Sequence, residues 1–527
     1  ATRLFHLVFL LLSIPLIARI GQQLNINTSA SWAAGLFYSV TPVVGMSATC
    51  AYNDAAMVFF ILAVAHLLLD RDSSPAALGA TAGFCYAVKF TGGLAAPIAF
   101  LFRPSRTLFL AATAIIAPWL IRSFLLTGNP VAPLLNSVFP NAYFHIDSER
   151  ELAGYLRTYG ELDPSSIPLQ VAIHGDALQG LLGPLWLSVP LALLALRTRG
   201  GRVLWLAALV AGAPWFLNIG TRFLMPALPF FALALMASLP RALVLSFVFA
   251  HAVLSWPQVL PLYASKGAWA LGMQQPGPER ALASLLTANT TQDARILDLA
   301  NAPAAITPRR LINAWQTAQG DRLVRSLRMA MSPTPALVEW RTRFASQSFT
   351  AFRARFPQER NESIALHEIE LPGLKPDILW TLRAWPNVWE SSLALDGNLT
   401  SNWATWQPLR GGMFYEVDFS SPQNLEEIAI VASISARSAP LELFGRHNTA
   451  WRKIPLPARP TELAPRNLRR SAARYLRREG ITHVLAPLGP DAFGQIAADM
   501  HAVPGDWDLA AVAEFENFTL YRLKPSP

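Results

Sequence analysis

The chain has 527 residues, 52% hydrophobic and only 15% charged, with a net charge of +9 and a pI near 9.8. Its arginines sit in short loops between apolar segments or scatter over the second half, so the basic balance reads as membrane topology and anionic lipid, and no nucleic-acid partner is expected. The two cysteines, Cys50 and Cys85, lie in apolar stretches, which speaks against a disulfide framework or a thiolate metal site.

Up to about residue 260 one apolar run follows another: 4–20, 32–50, 54–69, 76–89, 92–102, 107–127, 178–196, 203–219, 223–239 and 242–260. About 20 residues cross a bilayer core, so the shorter runs are broken or borrow flanking residues, and the pattern predicts roughly nine or ten crossings. The chain begins with Ala1 and enters an apolar run almost at once, with no signal-peptide cleavage pattern. The expectation is that an N-terminal stretch, with one or more spans, is missing.

Cations cluster in Arg103-Pro104-Ser105-Arg106, in Arg197-Thr198-Arg199-Gly200-Gly201-Arg202 and at Arg241, with single ones at Arg19 and Arg71. If those loops are cytoplasmic, every run alternates strictly. The same alternation puts Asp54, Lys89, the loop 128–177, Arg222 and everything beyond residue 260 on the outer face.

Asp54 then stands at the outer mouth of an apolar run, where a carboxylate is expensive to bury and points to function. Lys89, Arg122 and Arg222 lie at or just inside the same boundary, where the charge rule would not have put them. Cations at that depth suit a lipid-linked phosphate, whose anionic head group occupies the same plane. The plainer reading is snorkelling into the head-group layer. For Asp54 the plainer readings are a helix N-cap or an interfacial residue that never leaves water. His66 and Asn218 read as packing or lining groups. In the long loop, His145, Asp147, Glu149 and Glu151 read as a solvated amphipathic face, while His174 and Asp176, just before the next run, are candidates to face an active site.

Beyond residue 260 the composition turns to mixed polar and apolar, as in soluble protein. Residues 261–370 and 458–527 read as two parts of one α/β domain. The first holds a helix and a buried strand, Arg295-Ile296-Leu297-Asp298-Leu299, within 277–300. The second holds a basic helix at 467–480, the strand Ile481-Thr482-His483-Val484-Leu485-Ala486, and closing strands within 507–524. Between them, 371–457 reads as an inserted β-sandwich, in which Asp396-Gly397-Asn398 makes a tight turn and Trp403 fills the core. Trp385, Trp389 and Trp406 are either a stacking platform or aromatic core. No Walker loop, dinucleotide fingerprint, zinc spacing or nucleophile elbow occurs, so no metal site and no nucleotide cofactor is read.

Several segments, in their order, resemble the polytopic GT-C class glycosyltransferases, relatives of protein O-mannosyltransferases and aminoarabinose transferases. They are Tyr52-Asn53-Asp54-Ala55-Ala56, Gly83-Phe84-Cys85-Tyr86-Ala87-Val88-Lys89, Pro118-Trp119-Leu120-Ile121-Arg122 with Leu126-Thr127-Gly128-Asn129-Pro130, Gly180-Leu181-Leu182-Gly183-Pro184, and Thr221-Arg222-Phe223-Leu224-Met225-Pro226. The resemblance covers about the first 260 residues. It implies a polyprenyl-phosphate sugar as donor, Asp54 as an acid of the site, and Lys89, Arg122 and Arg222 as groups that hold the carrier phosphate. It also implies a catalytic acid in the first outer loop, and no acidic residue precedes Asp54 here. Asp54 is therefore expected as a supporting or second-site acid of an N-terminally incomplete domain, 1–260. The segment 394–403 with Gly411-Gly412-Met413-Phe414-Tyr415 resembles a discoidin-type sandwich, which implies a carbohydrate-binding or a purely structural module. Ser401-Asn402-Trp403 stands where that family has Thr-Arg-Trp.

The sequence thus leads to a polytopic α-helical membrane domain followed by an extracytoplasmic α/β domain carrying a discoidin-like insert, in a bacterial inner membrane with the second half periplasmic. The expected activity is glycosyl transfer from a lipid-linked sugar to an acceptor on the outer face. Its partners would be membrane lipid, the lipid-linked donor and a carbohydrate ligand of the second half. A transporter or flippase, and a catalytically dead sugar-binding scaffold, are the rival readings. Metal dependence is open.

Overall fold

The structure is a computed structural model, and it describes residues 2–50, 52–157, 162–264, 278–315, 317–332, 337–463, 465, 467–489, 493–515 and 517–525. The chain divides into two compact units, Ala1–Leu126 with Ala153–Met273, and Thr127–Leu152 with Gln274–Pro527. The sequence places the start of the soluble part at residue 261, but the helix Val244–Ala264 runs past it, and 265–277 lie outside the described residues.

The first unit is helical. Its opening helices are α1 (Thr2–Gln23), α2 (Thr28–Ser39), α3 (Pro42–Thr49), α4 (Asp54–Leu69), α5 (Pro75–Val88), α6 (Ala95–Phe102) and α7 (Arg106–Thr127). Local chemistry sets their ends. Asn27 caps α2 by accepting from Ala30 N, and Pro42 and Pro75 open α3 and α5, where a missing N–H costs nothing. One core, with Ile17, Phe37, Val58, Trp186 and Leu233 among its buried members, joins the early helices to the later Leu228–Ser238.

The expected nine or ten spans are met only in part. Among the described residues three helices are long and apolar enough to cross a membrane: Phe5–Gln23, Arg106–Thr127 and Arg199–Leu217. A fourth arises if α3 and α4, which meet at 110°, count as one broken span. The other apolar runs form helices of 10–17 residues. Prolines and glycines are the physical cause: Lys89 is extended and a short 3₁₀ turn, Phe90–Leu94, separates α5 from α6, while the segment Pro184–Arg197 is a 3₁₀ helix with Pro190 inside it.

Two features of this unit matter for the site. First, α4 and α5 form a hairpin, so the first residue of α4 and the residue after α5 lie at the same end. At the opposite end the Arg103 guanidinium donates to the carbonyls of Asp70, Arg71 and Ser73 and to the Ser73 hydroxyl, locking the turn. Second, α5 and α7 pack backbone to backbone. A Cβ added at Gly79 would strike Leu108 O, and one at Gly83 would strike Ala112 O, the small-residue contact that lets apolar helices approach closely. Both pairs keep the same offset, so the two helices run parallel, and Lys89 is level with about Pro118.

The second unit holds two sheets. The first has strand order β12-β13-β11-β1-β2, with β1 (Arg295–Asp298), β2 (Arg310–Asn313), β11 (His483–Pro487), β12 (Leu509–Phe515) and β13 (Phe518–Leu523). Here β1 pairs in parallel with both β2 and β11, while β13 closes antiparallel on β11. The helices Ala318–Met331 and Leu468–Arg478 bury Leu323, Leu327, Ala472 and Leu476 in the core beside it.

The second sheet has eight strands, from β3 (Leu337–Phe356) to β10 (Thr461–Leu463), through β4 (Ala365–Glu370), β5 (Thr381–Trp385), β6 (Trp403–Ala404), β7 (Met413–Ser433), β8 (Glu442–His447) and β9 (Ala450–Ile454). It is wider than the stretch 371–457 read from the sequence, because β3 precedes it and β10 follows it. β3 and β7 are long antiparallel partners whose register shifts in mid-strand. Their first pairing region carries β4 and β10 at its sides, and their second carries β5 and β8. Both regions bury alternate residues into one core, Val338, Trp340 and Ile430 from the first, Phe352, Tyr415 and Val417 from the second. Bulges bend long strands, and this sheet folds into two layers around that core.

Candidate functional site

Asp54 is the first residue of α4, behind Asn53 at the N-cap position. The cap reading of Asp54 is therefore corrected: the next residue back holds the cap place, and even its side chain does not cap. The Asn53 amide donates instead to Val88 O at 2.6 Å. That bond ties the start of α4 to the end of α5 one residue before Lys89. Lys89 Nζ then lies 2.5 Å from Asp54 Oδ1.

The carboxylate is buried, with 3% of its side chain exposed against 21% for Lys89. Its second oxygen, Oδ2, is buried and has no hydrogen-bond partner among the described residues. A buried acceptor left bare costs about 1–3 kcal/mol, an expense that the fold tolerates here.

Arg222 reaches the same place from the turn Thr221–Leu224. Its guanidinium lies 4.6 Å from the Tyr52 ring centre and 5.0 Å from that of Phe223, and Lys89 Nζ lies 5.5 Å from the same Phe223 ring. Ring quadrupoles attract cations on their faces, so Phe223 holds two positive groups that would otherwise repel. The turn is anchored by Thr221 N, which donates to Leu178 O at 2.9 Å. Thr221 Oγ1 is buried without a partner among the described residues.

Three of the four residues singled out from the sequence, Asp54, Lys89 and Arg222, thus share one end of the hairpin. The fourth, Arg122, is exposed on α7 about one helical turn beyond the level of Lys89, on the same end but outside this cluster of contacts. His174, which ends the short π-helix Gln170–His174, and Asp176, in the turn after it, are both exposed; that turn runs into Leu178 and so onto the Arg222 turn. His66 bonds Gln23 Oε1 through Nδ1 at 2.9 Å and Asn218 accepts from Gly220 N, so both are fold-holding groups. Tyr52, Asn53 and Phe223 were missed as participants. Their signal was adjacency: each is a sequence neighbour of a charged candidate.

In the second unit the amphipathic reading of 145–151 needs correction. α8 (Ile146–Arg157) has Asp147 and Glu149 in its first turn, but His145 just before it is buried. It sits between two carboxylates, Nε2 at 2.6 Å from Glu390 and Nδ1 at 3.3 Å from Asp321, and stacks on Trp406 at 3.8 Å between ring centres. Burial works against its charge, yet Glu390 and Asp321 raise its pKa above the ordinary imidazole value. Glu390 also receives Arg322, Asn387 and the Trp406 indole, and Arg325 lies on the Trp406 ring at 3.7 Å. Trp406 is thereby core rather than platform, whereas Trp385 and Trp389 are exposed. Among the described residues no group of three or more His, Cys, Asp or Glu is placed to hold a metal ion.

No family model matches the chain, and no curated protein matches it. Among solved structures, the cryo-EM structure of the arabinofuranosyltransferase AftD from Mycobacteria is similar at 13% identity and a TM-score of 0.35, over 88% of this chain and 56% of that one. The chain spans little more than half the length of that structure, and so distant a likeness gives no residue a role.

Proposed function

We propose that the chain is a membrane glycosyltransferase that moves a sugar from a polyprenyl-phosphate carrier to an acceptor on the outer membrane face, with the second unit on that side. The observation that supports this most is the buried Asp54 carboxylate, which gives one oxygen to Lys89 and leaves the other without a partner among the described residues, while Arg222 and Lys89 both lie against the Phe223 ring. In this reading Oδ2 takes the proton of the acceptor hydroxyl as its oxygen attacks the anomeric carbon. The bond from that carbon to the phosphate oxygen breaks, its electron pair stays on the phosphate, and the configuration inverts. Lys89 and Arg222 stabilise the charge that grows there, where fixed cations in a water-poor site act most strongly. Arg122 approaches the carrier from the lipid-facing side of α7, and His174 and Asp176 stand on the acceptor side.

Full-length protein in proteoliposomes, given labelled polyprenyl-phosphate sugars, tests the reading. Asp54→Asn is expected to lower kcat by about 10²–10⁴ with little change in KM. Arg222→Ala is expected to raise the donor KM by about tenfold to a hundredfold, the worth of a charge-assisted contact. Turnover unchanged in both variants removes the proposal.

One observation favours a second reading, a transporter of a lipid-linked or anionic substrate. α3 and α4 meet at 110° next to Asp54, and interrupted helices are how many transporters build their sites. In the same vesicles, translocation of the labelled lipid without glycosylated product would select it.

A further inference from the structure

The solvent side of one layer of the second sheet carries a pattern that its core does not require. Its residues follow from the register. One row across five strands reads Arg383, Glu416, Arg353, Phe444, Lys453, and the next reads Thr381, Asp418, Ala351, Arg446, Trp451. A third reads Trp385, Phe414, Arg355, Glu442.

Although Glu416 is on this outer side, only 1% of its side chain is exposed. It lies beneath Arg353, at 2.5 Å, and Arg383, at 3.5 Å. Asp418 is gripped in turn by Arg383 and Arg446. Three guanidinium groups therefore cover two carboxylates. Arg353 lies 4.5 Å from the Trp451 ring centre and 5.3 Å from that of Phe414, which holds these groups flat against the sheet. Exposed Arg355 and the pair Lys453–Glu442, at 2.8 Å, complete the rows, giving five cations against three acids.

We propose that this face binds an acidic polysaccharide, a sugar chain bearing carboxylate or phosphate groups. Four strand spacings of about 4.8 Å make it roughly 19 Å wide, enough for an extended chain rather than a single small molecule. The surplus positive charge and the exposed guanidinium groups of Arg355 and Arg383 suit carboxylate or phosphate oxygens. Ring faces such as that of Trp385, which is 41% exposed, suit the C–H faces of sugars, whose weakly positive hydrogens meet the negative face of the π-system. None of the fourteen positions in the three rows is Leu, Ile, Val or Met, so the apolar groups the rows offer are mostly aromatic rings. This site is independent of the chemistry at Asp54.

The test is retention of the full-length detergent-solubilised protein in native gels containing polygalacturonate, phosphomannan or neutral dextran, with phosphatidylglycerol vesicles and single-stranded DNA as competitors. Expected are retention by one or both acidic polymers, at least tenfold weaker retention by dextran, and a loss of tenfold or more in Arg355→Ala/Arg383→Ala, whose side chains are exposed. Trp385→Ala is expected to weaken retention as well. Equal retention by dextran, stronger binding to vesicles or DNA, or full retention of the double-arginine variant would overturn the proposal.

Discussion

Asp54 and Lys89 form a pair whose value depends on both members being present. Removing only the lysine strands a buried carboxylate, which costs about 3 kcal/mol or more, whereas removing both leaves two uncharged groups of similar size. Lys89→Met is therefore expected to lower the detergent-phase melting temperature markedly, and Asp54→Asn/Lys89→Met to restore most of it. A double variant no more stable than Lys89→Met would mean that the pair contributes little. A different residue sets a pH response in the second unit. Burial, reinforced by nearby Asp396, pushes the Glu368 carboxyl up to about 7 from an ordinary 4.5. The folded form then holds a proton that the unfolded chain releases between those values, so stability falls as pH rises from about 4.5 to 7. Glu368→Gln is expected to flatten that fall in thermal melts between pH 5 and pH 8; an unchanged slope would assign it to other groups. That Asp54 opens an apolar helix was legible in the letters around it. Its bare oxygen was not, because satisfaction of a polar atom is a property of packing.

At the scale of elements, the contact between α5 and α7 shows what a glycine spacing can and cannot tell. Gly79 and Gly83 are four apart and so share one helical face, but nothing in the letters names the helix that will occupy it. The structure supplies α7, and with it the level of Arg122. Gly83→Leu is expected to push α7 away from α5 and to destabilise the first unit by about 1–3 kcal/mol, the usual cost of overpacking. The check is the melting temperature beside Gly45→Leu, a position where an added Cβ meets nothing within 4 Å; equal losses in the two would deny the close approach. The strands β1 and β11, and the basic helix before β11, were readable from short apolar runs bounded by polar residues. Strand β3 was not, because its charged outer positions and its mid-strand register shift break the simple alternation on which such reading depends. The number of spans is met only in part for a related reason: hydropathy counts apolar residues, while prolines and glycines decide whether they form one helix or two.

For the whole molecule, the division into a helical half and a mixed α/β half was visible in composition alone, since the two halves are built for different solvents. The long-range joins were not. His145 meets partners at Asp321, Glu390 and Trp406, far along the chain, and only the folded second unit brings them together. Its imidazole gains stability from two carboxylates while protonated, so that contribution is complete below about pH 6.5 and is lost as pH rises through the higher folded-state value. His145→Gln is expected to lower the melting temperature of the protein at pH 6 more than at pH 9; equal losses at both would show that the ring matters there only by its shape.

The pairing of β10 with β3 has an architectural corollary. Leu463 lies opposite Leu337, so the polypeptide enters and leaves the eight-stranded sheet through adjacent doors, about 5 Å apart. The two seams of the module therefore touch, yet it is no loose appendage: Glu390 and Trp406, which it contributes, are buried against His145, Arg322 and Arg325 of its host.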